Sequence, residues 1–121
     1  MSVARGEWLL AGWLLAGPLL ASAAGTPPAA FERCAACHSG TEATKDVAPS
    51  LAGVVGRQAG SREDFRYSRA LMRSGITWDD GSLDAFLKSP EQFVPGTRMP
   101  FEGLVVDAER AAIIQYLKSL R

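Results

Sequence analysis

The sequence predicts an all-α protein with an unusually large share of loop, on three observations. Ile113, Tyr116, Leu117 and Leu120 recur at helical spacing near the C-terminus. No run alternates apolar and polar residues as a half-buried strand does. Glycines and prolines break residues 41–60 and 91–102 so often that the helices must be short and far apart. Loops of that length are uncommon in a small domain, so something besides helix packing has to organise them.

The elements follow in order along the chain. Met1–Glu7 carries Arg5, and Trp8–Leu20 is almost unbroken apolar sequence. Ala21-Ser22-Ala23 and Ser22-Ala23-Ala24 each offer the small-x-small pattern of signal-peptidase substrates. Residues 1–24 are therefore expected to be a signal peptide cleaved near 23/24, leaving a single domain over 25–121 in the periplasm. The alternative is an uncleaved membrane anchor, because Trp8–Ala24 approaches the length that spans a bilayer. Pro18 and the small residues favour cleavage, and a buried helix is a poor reading because no polar face interrupts the run.

After a linker at Gly25-Thr26-Pro27-Pro28, Ala29 to about Ala36 suits a helix with proline near its start. Ser68 is positioned to cap a helix through Arg73 that Gly75 closes. Asp79 or Asp80 starts the next, with Leu83, Phe86 and Leu87 on one face and Pro90 beyond its end. Glu91–Glu102, holding Pro95, Gly96 and Pro100, is expected to contain no regular structure. Asp107 is the expected N-cap of the C-terminal helix, with Lys118 and Arg121 near its negative end.

Charge is balanced, with 13 Lys+Arg against 13 Asp+Glu, and neither a basic arm nor zinc-finger spacing is present. That argues against a nucleic-acid partner. Two cysteines are too few for a disulfide scaffold. A domain this small buries a limited core, and a large apolar cofactor bound by the native state would add stability.

Cys34-Ala35-Ala36-Cys37-His38 is C-x-x-C-H, the haem c attachment pattern. Two thiols about one helical turn apart reach the two vinyl groups along one edge of a porphyrin, and His38 then offers its imidazole to iron. A redox dithiol of the thioredoxin kind needs a βαβ setting, which the sequence lacks. A structural zinc site needs four ligands, and His38 is the only histidine. A C-x-x-C disulfide closes so short a ring that it adds little stability. Of the three methionines, Met1 lies in the signal, Met72 in a predicted helix and Met99 in the stiff loop Pro95–Phe101. Spacing alone leaves Met99 open between an iron ligand and a loop residue packed into the core.

Further landmarks follow in a fixed order: Pro49-Ser50-Leu51-Ala52-Gly53, Gly56-Arg57, Phe65-Arg66-Tyr67, Gly75-Ile76-Thr77-Trp78, the loop Pro95–Phe101, and the helix around Arg110, Tyr116 and Leu117. On these landmarks the sequence, from about Ala30 to Leu120, resembles the class I cytochromes c, the mitochondrial carrier and its soluble bacterial relatives. The resemblance implies a small cytochrome c fold, with short helices and long loops wrapped around one covalent haem c and its iron. It implies thioethers at Cys34 and Cys37, with iron between His38 and Met99. It further implies that the Pro49 carbonyl holds the second nitrogen of His38 and that Arg57, Tyr67 and Trp78 donate to the haem propionates. Thr97 would bond a propionate or a buried water, and Leu51, Leu87 and Phe101 would pack on the porphyrin. Phe86 and Leu71 depart from the family, standing where a tyrosine and a polar residue are usual. The short, two-proline segment before Cys34 implies a reduced N-terminal helix, with Ala29 or Ala30 at its crossing with the C-terminal one.

Two protein ligands leave no open position on iron. The expectation is therefore a periplasmic monohaem electron carrier, not an enzyme, that works between redox proteins. It would bind no nucleic acid or small-molecule substrate, and it would be monomeric unless part of a complex. The alternatives are an electron-transfer subunit of a periplasmic dehydrogenase, with Val105 and Val106 as its contact patch, and a haem-based ligand sensor. Arg33 and Arg98 fall where mitochondrial relatives ring the haem edge with lysines, while Glu91, Gln92, Val105 and Val106 fall at other such positions. A docking face more apolar and less basic than theirs is expected.

Overall fold

The computed structural model describes residues 25–41 and 44–121, besides the isolated Gly12 and Gly17. The predicted signal peptide thus lies, those two glycines aside, outside the described residues. A 3-10 turn, Ala29–Phe31, leads into α1 (Glu32–His38), followed by α2 (Arg69–Arg73), α3 (Asp80–Lys88), α4 (Pro90–Phe93) and α5 (Asp107–Ser119). Among the described residues, the extended pairing is limited to an isolated antiparallel bridge between Gln58 and Thr77, and no helix is long and apolar enough to cross a membrane. The architecture is all-α.

Local chemistry explains most boundaries. The Phe31 N–H donates to the Pro28 carbonyl at 2.9 Å, so the chain enters through a tight turn, and α1 then runs on through His38 rather than stopping near Ala36. Ser68 Oγ accepts from the Leu71 N–H at 3.1 Å, and Gly75, at φ +67°, takes the left-handed position that ends α2. Asp79 and Ser82 cap α3 reciprocally, with the Ser82 N–H donating to Asp79 Oδ1 at 2.8 Å and the Asp79 N–H to Ser82 Oγ at 2.9 Å.

Two expectations are corrected. Glu91–Phe93 is helical, because Pro90 both bounds α3 and occupies the first position of α4, where its fixed φ suits a helix and its missing N–H costs nothing. Asp107 is not the N-cap of α5. Val106, extended at φ −82° and ψ 116°, holds that position, and the Asp107 carboxylate in the first turn pairs with Arg110.

Helix α3 packs on α4 and α5, and the 3-10 turn packs on α5. The Phe31 and Tyr116 rings meet edge-on with centroids 4.7 Å apart, so the shortened N-terminal element keeps its crossing. Leu104 and Ile113 are almost wholly buried. Much of the remaining apolar core, including Phe31, Val54, Trp78 and Phe86, faces one cleft.

Candidate functional site

That cleft encloses about 1400 Å³ of space with its open mouth included. Every residue that the resemblance assigns to the haem site lines it: Cys34, Cys37 and His38 from α1; Pro49, Leu51, Arg57 and Tyr67 from the segment after it; Trp78 and Leu87; and Thr97, Met99 and Phe101 from the loop before α5.

Helix α1 places both thiols and the imidazole. Cys34 and Cys37 are unpaired with each other. Burial pushes the Cys34 thiol pKa up, and the nearby Arg33 charge opposes it. At the end of the helix, His38 Nδ1 lies 2.8 Å from the Pro49 carbonyl oxygen. A carbonyl only accepts, so Nδ1 carries the proton and Nε2 keeps its lone pair. Burial lowers the His38 pKa and the Pro49 bond opposes that, which favours the neutral imidazole that metals bind.

The loop after Pro49 is shaped by glycine and arginine. Gly53 and Gly56 sit at φ +68° and +88°, turns an L side chain resists. Arg57 Nη1 donates to Ala52 O at 2.8 Å and Nη2 to Ser50 O at 3.4 Å. The guanidinium has five N–H groups, so donors remain for a group in the cleft. Burial lowers the Arg57 pKa against the opposing influence of Tyr67, and burial raises the Tyr67 pKa against that of Arg57. The Trp78 N–H donates to Arg57 O at 2.9 Å and the Gly56 N–H to Trp78 O at 2.7 Å, which ties this loop to the start of α3. The Trp78 ring packs on Phe86, with centroids 5.0 Å apart.

Met99 comes from the opposite end of the sequence. Its N–H donates to Thr97 Oγ1 at 3.4 Å and its carbonyl accepts from the Phe101 N–H at 2.9 Å, a tight local fold around the thioether. The Arg33 guanidinium lies 4.9 Å from the Phe101 ring centroid, which links α1 to this loop.

Arg33, Arg57, Arg66 and Arg98 line the cleft, and among the described residues no Asp or Glu does. Phe31, Val54, Ile113 and Leu117 also line it and were not singled out as site residues. Ile113 and Leu117 carried a helical-spacing signal that marked them as core. Phe31 and Val54 carried none, since only the tertiary fold brings them to the cleft.

This donor set fits a large apolar macrocycle bearing acidic groups. Two free thiols sit a turn apart beside a neutral imidazole, a thioether comes from a separate segment, the walls are apolar, and the charged lining is cationic. The sequence profile of the family described as Cytochrome c matches residues 28–121. A curated relative, cytochrome c2 iso-2 of Magnetospirillum fulvum, is 47% identical over 93 residues, covering 77% of this chain and 97% of the relative. Cytochrome c of Tetrahymena pyriformis is 50% identical over 88 residues, covering 73% and 79%. Among solved structures, cytochrome cH from Methylobacterium extorquens superimposes with a TM-score of 0.68 at 42% identity, covering 74% of this chain and 91% of that one.

Proposed function

This chain belongs to the cytochrome c family, electron carriers with one covalent haem c, and on that premise we propose that it shuttles single electrons through the periplasm between redox proteins, its haem held at Cys34 and Cys37 and its iron by His38 and Met99. The observation that carries the reading is the 2.8 Å contact from His38 Nδ1 to Pro49 O, directly after two free thiols. It fixes the tautomer, leaves Nε2 as the donor atom and raises its basicity.

Bound haem c supplies a one-electron ferric–ferrous couple. The protein residues do the rest. Cys34 and Cys37 hold the group so that it cannot leave an exported protein. Leu51, Leu87 and Phe101 exclude water, which favours the less charged oxidation state. Arg57, Tyr67 and Trp78 supply donors to the propionates, and Thr97, beside Met99, bonds a propionate or a buried water. Residues 1–24 direct export and are removed near 23/24.

Partners dock at the cleft mouth. Arg66 joins Arg33 and Arg98 as an exposed arginine on the lining, so this rim is more basic than the landmarks alone implied. Exposed Val47 adds an apolar contact at the same mouth. A second reading, a subunit of a periplasmic dehydrogenase, draws support from Val105 and Val106, which are 86% and 52% exposed. Gel filtration of a native periplasmic extract separates the two. The carrier reading requires elution near the mass of the chain alone, and co-elution with a much larger oxidoreductase would replace it with the subunit reading.

A further inference from the structure

Behind the cleft, a buried cation is bonded to three segments at once. Arg110 on α5 is 3% exposed and stands outside the cleft lining. Its Nε donates to Asp84 Oδ1 on α3 at 2.8 Å, Nη1 to the Leu104 carbonyl at 2.7 Å, and Nη2 to Asp107. Leu104 in turn donates its N–H to Leu87 O at 2.8 Å, and Leu87 lines the cleft. Next to it, Gly103 has φ +117°, and a Cβ there would lie 2.1 Å from Lys88 O. The backbone is pressed against the end of α3 as only glycine permits. At the other end of the same loop, the Thr97 N–H donates to Val94 O at 3.0 Å, and Val94 is buried. Residues 94–104 therefore leave and rejoin the scaffold at fixed points, with Met99 between them.

We propose that Arg110 is a positioning residue for the Met99 thioether: by gripping Leu104 behind Gly103 it fixes the far end of the methionine loop, and so sets how readily an external ligand takes the place of Met99 on iron. The inference rests on the reading of Met99 as an iron ligand. Releasing the thioether requires the loop to swing away, and the apparent affinity of a competing ligand scales with the fraction of molecules in which it has done so. A guanidinium spans acceptors on α3, α5 and the loop. A lysine ammonium is a point charge that cannot span all three.

The test is a cyanide titration of the ferric holoprotein, followed through the thioether-to-iron absorption band. Arg110→Lys is the main variant, and Asp84→Asn is a milder one that removes one of the anions from Arg110. Ile114→Val is the control, a buried α5 residue outside the cleft lining. Arg110→Lys should keep the band without cyanide yet bind cyanide about tenfold more tightly or better, because a larger fraction of loops is open. Asp84→Asn should shift affinity in the same direction by less, and Ile114→Val should lower the unfolding temperature with no change in cyanide affinity. Wild-type affinity in both Arg110→Lys and Asp84→Asn would overturn the proposal, as would an equal gain in Ile114→Val. Absence of the band from the wild-type protein would overturn the Met99 reading itself, and the positioning role with it.

Discussion

On the α3–α5 side of the cleft, helix packs on helix, and Leu83, Leu87, Val94, Leu104, Ile113, Ile114 and Leu117 are buried among these elements. On the other side, residues 44–67 contain no helix. Their order comes from turns, such as the Val54 N–H to Leu51 O at 3.1 Å and the Arg57 N–H to Val54 O at 3.1 Å, from the Arg57 side chain, and from the single bridge to Thr77. Val54, Ala59 and Tyr67 are the buried apolar or aromatic side chains of this stretch, and Val54 and Tyr67 face the cleft. The helical side buries Val94, Leu104 and Ile114 within itself and turns Leu83, Leu87, Ile113 and Leu117 to the cleft, so it keeps a core of its own besides the wall it supplies. The loop side has little to bury against except what fills the cleft, so a haem that serves electron transfer is also a structural partner to half the molecule.

The largest effect that would test this contrast comes from blocking haem attachment with a Cys34→Ala, Cys37→Ala double variant. Amide exchange should show residues 44–67 without protection while α5 retains some, and equal protection on both sides would break the comparison. Next, in the holoprotein, Arg57→Met should cost about 1–3 kcal/mol in denaturant unfolding, because the Ala52 and Ser50 carbonyls lose their donor. Ser68→Ala, at the junction between the two sides, should cost about 1 kcal/mol as the cap of α2 is lost. The smallest effect lies wholly on the helical side. The Ser82 N–H and hydroxyl hold the Asp79 carboxyl pKa below its ordinary value. Its stabilising contribution is therefore present above the ordinary carboxylate pKa and is lost as pH falls through the lowered one. The stability gap between the wild type and Asp79→Ala should accordingly narrow in acid. A gap that widened there would show that Asp79 does not cap as an anion.

The sequence made the helical side more legible than the loop side, for reasons visible in particular residues. Ser68, Gly75 and Asp79 act locally, within a few residues of the groups they cap, so their roles are written in short-range pattern. Pro90 was read only as a stop, although the ring that cannot continue α3 is equally suited to begin α4. Asp107 looked like a cap because its type favours that position, but its carboxylate pairs with Arg110 instead. Arg110 was visible only as a family landmark. A charged residue on a helix is ordinarily solvated, and nothing in local spacing reveals that Asp84, more than twenty positions earlier, lies 2.8 Å away. The cleft is the reverse case. Its chemistry was legible because C-x-x-C-H is compact, whereas Phe31 and Val54 reach it through tertiary folding alone.

The account stands or falls on covalent haem ligated by His38 and Met99, and its most direct test is one absorption experiment. The purified mature protein is extracted with acid–acetone, and the retained pigment is recorded oxidised and then reduced. The account predicts that the pigment stays with the polypeptide, that the ferrous spectrum is sharp and low-spin, and that the ferric protein shows a thioether-to-iron band absent from Met99→Leu. Pigment that extracts, or a ferric spectrum without that band, would contradict it.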